Sequence, residues 1–375
     1  MSYAAVSELR RLPDFDDAWQ VSSAGPRLRA VRAAAERLRE KMASGPRALA
    51  VRTLPLATLL YPTKYAFWTA AWNPSPYVVM THRCLLVQFL QRGEPKTLLF
   101  NPTDVIAARE TPYFKKRVEQ MGDFLAFSVL TTTYEPIETQ LAHYGLSPSD
   151  IDYVAFDHFH TQDVRPLLGT EDGSYLARFP RAKLLAPKSE WNAWDDVHPI
   201  QKAWFQADGK RNVRADRVAL TDGDLELGDG VWIFRTPGHT VGNQTLFVST
   251  DGGIWGSSEN GTCADAWSPL ESRIQGLRQA AKHQDVDVIL NANTPELMAD
   301  QVTSMVLERT LVDRVKRAPA FCQMLSSSEV TPSWIAPGVK PTILHRQVTH
   351  GTVVAEIPAT RRAPSFQHAA HGAAE

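Results

Sequence analysis

Cysteine is scarce in this chain of 375 residues: Cys84, Cys263 and Cys322 are odd in number and lie far apart. That excludes a disulfide framework and a cysteine-type zinc cluster. Long hydrophobic runs are missing as well. No stretch approaches the roughly 18 consecutive apolar residues of a transmembrane helix. The first 20 residues carry charges without an apolar run, so no secretory signal is expected and a cytoplasmic location follows. Charge of one sign is not in excess: 40 basic residues stand against 41 acidic ones, a net of −1. That balance argues against nucleic acid or an anionic membrane as principal partner and leaves a small molecule. Internal repeats and a glycine-rich phosphate loop are also lacking.

What is present concentrates in Asp157-His158-Phe159-His160-Thr161-Gln162-Asp163. The segment ends an apolar run (Ile151, Tyr153, Val154, Phe156). Histidines two apart on extended backbone place two imidazoles on one side. Imidazole is the commonest protein ligand for zinc and iron, and a carboxylate three residues further on offers a possible addition to the shell. His143, His198 and His283 fall in helical or loop contexts with no evident partner.

The surroundings of this motif resemble the metallo-β-lactamase-fold superfamily. The stretch Gln140 to Val154, with Gly145-Leu146-Ser147-Pro148-Ser149-Asp150-Ile151-Asp152, is similar to the family's segment before T-H-x-H-x-D-H. Thr236-Pro237-Gly238-His239-Thr240-Val241-Gly242-Asn243 is similar to its T-P-G-H-T-x-G-H. Ile254 to Glu259 stands where the family has a strand ending in a bridging aspartate, and Val286 to Asn293 where it has a strand ending in a last histidine. The resemblance covers roughly residues 47 to 300, in order. It implies an α/β fold, an αββα sandwich, here with an N-terminal helix and helical insertions. It divides the chain into an N-terminal arm and helix (1–46), the sandwich domain (47–357) and a disordered tail (358–375).

It also implies ligands. His158, His160 and His239 match the first metal site. Gln162 stands in place of the family's aspartate, Asp163 in place of a histidine, Asn293 in place of the last histidine, and Glu259 in place of the bridging aspartate. Amide oxygens are weaker zinc ligands than imidazole or carboxylate. One zinc per chain is therefore expected, with iron possible, held by His158, His160 and His239 and completed by Glu259 or Asp163, with Asn293 a further candidate. Asp157 and Asp163 are the catalytic candidates, each open between ligand, general base and support for an imidazole N–H.

Aromatic residues suggest the substrate. Tyr61, Tyr65, Phe67, Trp68 and Trp72 fall in a proline-bracketed segment, and Trp191, Trp194, Trp204 and Phe205 form a second cluster. Trp68, Trp72, Trp191 and Trp194 are candidates to hold a flat apolar substrate, with Arg165 either reaching toward it or held in an ion pair; a minicore or a homodimer contact explains the aromatics equally. Along the rest of the chain, the pattern predicts a helix over 26–42, a helix over 300–314 and strands between 342 and 357. The function expected is a zinc-dependent hydrolase whose metal-bound hydroxide attacks an apolar substrate. The chemistry would be lactone or ester hydrolysis, or replacement of a ring chlorine, since the Asp-His pair is similar to that of the superfamily's hydrolytic dehalogenases of chlorinated aromatic nitriles such as chlorothalonil. The alternatives are an iron-dependent oxygenase on the same fold and a ligand-binding protein that has lost catalysis.

Overall fold

Side chains alternate across a strand, and several strands here are apolar on both faces. Along Tyr77–Gln91, Leu85, Val87 and Phe89 enter one core while Cys84 and Leu86 enter another. Val231 and Ile233 alternate in the same way with Trp232 and Phe234. Such strands need cover on both sides. In the computed structural model, described over residues 3–4 and 6–355, they receive it from a second sheet inside and from helices outside. The αββα sandwich implied by the resemblance is the architecture observed.

One sheet has the strand order Thr349–Gly351, Ala50–Pro62, Tyr77–Gln91, Glu94–Phe100, Tyr153–Ala155, Lys183–Pro187 and Val218–Thr221, with Ser328–Thr331 also paired to Tyr77–Gln91. The other runs Arg10–Leu12, Asp224–Gly228, Val231–Arg235, Gln244–Thr250, Gly253–Ser258 and Met324–Ser326. Gly230, at φ +70°, closes the hairpin between two of these strands, a backbone region that glycine enters without a Cβ penalty. The core between the sheets joins Val87, Phe89, Leu98 and Phe100 to Leu227, Ile233, Leu246 and Val248.

The predicted N-terminal helix spans Ala24–Ser44 and packs Val31, Ala35 and Leu38 against Trp232, Phe234 and the helix Met298–Leu311. The polar segment before it is not a loose arm. Arg10–Leu12 adds a strand to the second sheet, and Phe15 is fully buried against Phe234. Two other expectations need correction. Between 342 and 355 the only strand is the three-residue Thr349–Gly351, and 356–375, which includes the predicted tail, lies outside the described residues. The apolar run Val288-Ile289-Leu290 is buried but joins no sheet; Ile289 and Asn291 donate their amides to Ala266 and Asn260 instead. Among the described residues, no helix is long and apolar enough to cross a membrane.

Glu308 is buried on the helix Met298–Leu311 and ties it to the second sheet. Its Oε1 accepts from Thr245 Oγ1 and Asn260 Nδ2, both at 2.8 Å, and its Oε2 from Trp267 Nε1 at 2.8 Å. Burial outweighs these bonds and pushes its carboxyl up to about 7 from an ordinary 4.5. Two predictions result. The folded chain retains the Glu308 proton between those two values while the unfolded chain releases it, so stability declines as pH rises through that window. Glu308→Gln removes the effect: urea unfolding at about pH 5 and about pH 8 should show wild type losing up to about 3 kcal/mol relative to the variant. Phe89→Ala, in the core between the sheets, should cost about 3–5 kcal/mol, while Phe124→Ala, at an exposed position, should leave the unfolding midpoint nearly unchanged.

Candidate metal centre

The strand Tyr153–Ala155 lies parallel between its two neighbours, and its carboxyl end runs directly into the histidine motif. The loop after Val231–Arg235 delivers His239, and the strand Gly253–Ser258 ends at Glu259. All of these open at one end of the sandwich. The motif turns sharply there: Thr161 has φ +62°, strained for a β-branched residue, and is held by its amide bond to the Trp204 carbonyl.

Candidate ligand atoms of His158, His160 and His239 all lie within 4.8 Å of one another. The ring centroids are 4.4 to 5.0 Å apart and the ring planes cross at 71° to 88°, so three imidazole edges converge on one point. Two of the rings are steered from behind. Asp157 Oδ1 lies 2.7 Å from His158 Nδ1, which places the proton there and leaves Nε2 with a free lone pair. Gln201 Oε1 accepts from His160 Nε2 at 2.9 Å, which frees Nδ1, and that atom faces His239 Nε2 at 3.2 Å. The backbone amide of His239 donates to Asn260 Oδ1 at 3.0 Å. Burial, reinforced by the neighbouring His158, holds the pKa values of His160 and His239 well below the usual imidazole range. Neutral rings are what a cation needs, because a protonated nitrogen has no lone pair to give. The donor set therefore fits a single divalent ion of the zinc or iron type.

Asp157 is buried in a net of donors. Its Oδ2 accepts from Asn101 Nδ2 at 3.2 Å and from Ser327 Oγ, and its own amide donates to Asn101 Oδ1 at 2.9 Å. Burial opposes ionisation, but His158, Ser327 and His82 together hold its carboxyl below the ordinary range. It is thus a carboxylate bonded to an imidazole, the arrangement that fixes a ligand's tautomer and raises its basicity. Glu259 lines the same cavity but stands outside the histidine group. Its Oε2 accepts from the Ser328 amide at 2.8 Å, and burial, with Asp157 nearby, pushes its carboxyl well above the usual range. Asn293 also lines the cavity, with Oδ1 accepting from Thr294.

Glu190 is a residue that sequence reasoning missed. It is fully buried, and its two oxygens accept from the amides of Phe159 (3.1 Å) and Gly242 (2.8 Å), which joins the two histidine-bearing loops. A Cβ on Gly242 would meet the Glu190 Cβ at 2.4 Å, so no other residue fits there. Asn101, Gln201, Asn260 and Ser327 were missed as well. Each is an unremarkable polar residue in sequence, distant from the motif it supports. Only Asn101, which sits at φ +62° directly after the strand Glu94–Phe100, carried a local signal.

The remaining expected site residues stand apart from the cavity, and those expectations are corrected. Asp163 is engaged by Arg165 and does not line the cavity: Arg165 binds it through Nε (2.9 Å), Nη2 (2.7 Å) and the backbone amide (3.1 Å). Arg165 thus takes the ion-pair alternative and stacks over Tyr175. Trp191 and Trp194 are buried in the core around Phe159, their indole N–H groups donating to Tyr3 and to the Gln206 carbonyl. Trp68 is packed between two cores, and Trp72 is exposed beside Gly276. The aromatic wall of the cavity comes instead from Tyr61, Tyr113, Phe114, Phe127 and Trp204. Trp204 stacks on Tyr113 at 4.3 Å and lies against His160.

No family model matches the chain. Solved structures similar to it include a probable metal-dependent hydrolase from Staphylococcus aureus (15% identity over 69% of this chain and 83% of that one, TM-score 0.47). They also include AidC, a dizinc quorum-quenching lactonase in complex with a product, N-hexanoyl-L-homoserine (14% identity, 79% and 92%, TM-score 0.46). A third is the hydrolase AbOPH in the beta lactamase superfamily (14% identity, 64% and 84%, TM-score 0.36).

Asp157→Asn keeps the shape at this position but removes the charged acceptor behind His158. Metal affinity, measured by competition with a chelating dye, should fall about 10- to 100-fold while the fold is kept.

Proposed function

We propose that this chain is a metal-dependent hydrolase that holds one zinc ion through His158, His160 and His239. The observation that carries the reading is three imidazoles converging at the floor of an aromatic-lined cavity, with burial holding the pKa values of His160 and His239 well below the usual imidazole range. A divalent ion at such a site supplies Lewis acidity and lowers the pKa of water beside it from about 16 to about 7.

The chain's own groups do the rest. Asp157 and Gln201 each hold one nitrogen of a ligand ring, so that the opposite nitrogen faces the centre. Asn260 and Glu190 fix the two loops between which the centre forms. Tyr113 and Trp204 present ring faces that suit a flat apolar body and exclude bulk water from the reacting bond. The substrate class is accordingly an ester or lactone with an apolar portion, cleaved by water to acid and alcohol. An electron-poor chloroaromatic is the second member of the panel; water would convert it to a phenol with release of chloride and a proton.

Elemental analysis of protein purified without added metal should find about one zinc per chain, and His158→Ala and His239→Ala should lose it. Chelation should abolish release of acid from aryl esters and lactones, and added zinc should restore it. Iron in place of zinc would redirect the chemistry toward oxygen. Metal content indifferent to both histidines would end the hydrolase reading.

A further inference from the structure

The cavity has a polarity that catalysis at its floor does not use. Its carboxyl groups, Asp157 and Glu259, are buried beside the histidines, whereas Arg109 and Arg117, which also line it, are only half-buried. Between them the walls are aromatic and aliphatic, with Leu59, Met80 and Val105 among the lining residues. Arg109 follows the helix Val105–Ala108 and lies 4.4 Å from the Phe127 ring centroid, with one hydrogen bond to Thr133 Oγ1 at 3.2 Å. Arg117, on the helix Pro112–Met121, lies 5.3 Å from Tyr113 and 5.4 Å from Tyr77, with one hydrogen bond to the Tyr77 hydroxyl.

Neither guanidinium forms an ion pair with a carboxylate among the described residues. The nearby acids are engaged elsewhere: Glu110 with Lys115 and Asp104 with Arg178. A guanidinium carries five N–H donors in a rigid fork. Here each makes a single side-chain hydrogen bond, and the Nε of each is buried without any partner. Buried donors without acceptors are costly, and two such forks lining one cavity leave room for an acceptor that the chain itself does not supply.

We propose that Arg109 and Arg117 form an anion-recognition subsite, so that the substrate is an apolar, aromatic or acyl molecule bearing a carboxylate at the end remote from the bond cleaved. This rests on the reading of the cavity as a hydrolytic site and narrows its substrate class. A cationic or uncharged homologue would leave the two forks unsatisfied and would bind more weakly.

The test uses the full chain stripped of metal, so that no carboxylate is held by an ion at the floor. Binding of 4-phenylbutyrate is compared with that of its uncharged isostere 4-phenylbutyramide by titration calorimetry. The acid should bind about tenfold more tightly, through at least one charge-assisted bond, and its advantage should shrink from low to high salt. Arg109→Gln/Arg117→Gln should erase the preference by weakening the acid far more than the amide; Arg109→Lys and Arg117→Lys, which keep the charge, should retain part of it. Equal affinities, a preference that survives the double variant, or binding of neither compound would overturn the proposal. Should the double variant fail to fold, a salt-independent preference in the wild type would overturn it as well. The hydrolase reading is separable: if the protein proves to bind no metal and cleave no ester, the acid-over-amide preference still stands or falls alone.

Discussion

Everything at the functional end of this protein depends on keeping three imidazoles buried and close together. Imidazoles whose centroids are 4.4 to 5.0 Å apart would repel strongly if all were protonated, so the fold must make that unfavourable and still orient the rings. It does this with acceptors of graded strength. The one full negative charge, Asp157, stands behind His158, and a neutral amide oxygen, Gln201, stands behind His160. Each acceptor takes one ring proton and so decides which nitrogen is left bare. The cost of placing Asp157 in the interior is offset by Asn101 and Ser327, which themselves bridge two strand ends of the first sheet. The tautomers at the centre are therefore consequences of the sandwich, since the strands set where those acceptors stand.

The same logic explains why supports of the site reach so far along the chain. Glu308 holds Asn260, Asn260 holds the His239 amide, and Glu190 clamps Phe159 to Gly242. Two of these are buried carboxyls whose pKa values burial drives upward, Glu308 to about 7. A chain retains groups of this kind where they define geometry, because apolar replacements would fill the space with less electrostatic cost. The histidine loops are thus positioned by hydrogen bonds with direction, which hydrophobic packing alone does not provide.

The fold and the histidine triad were legible in sequence because both leave local traces. Two-faced apolar strands, a short H-x-H after one of them and a third histidine in a glycine-bounded turn are each readable within about ten residues. What was not legible is pairwise and distant. Nothing in the local sequence of Gln201, Glu190 or Asn260 shows that its side chain turns toward a histidine-bearing loop far away in the chain. The aromatic clusters misled for a related reason. Trp191 and Trp194 have the composition of a binding wall, but the helix that carries them turns both into the core around Phe159, and the cavity takes its rings from Tyr113, Phe114 and Phe127 instead. Composition identifies how much aromatic surface a chain has, while the path of the backbone decides which of it faces a ligand.

The rewritten part of the motif can be understood as one concerted change. At the positions where the resemblance implies an aspartate and a histidine, this chain has Gln162 and Asp163. A carboxylate at 163 left facing the centre would add negative charge to a buried cavity that already holds Asp157 and Glu259. Arg165, two residues on, compensates that charge with a bidentate fork and a backbone bond. Gln162 donates its amide to the His160 carbonyl and so braces the motif's own turn. The substituted residues consequently stabilise the loop carrying His158 and His160.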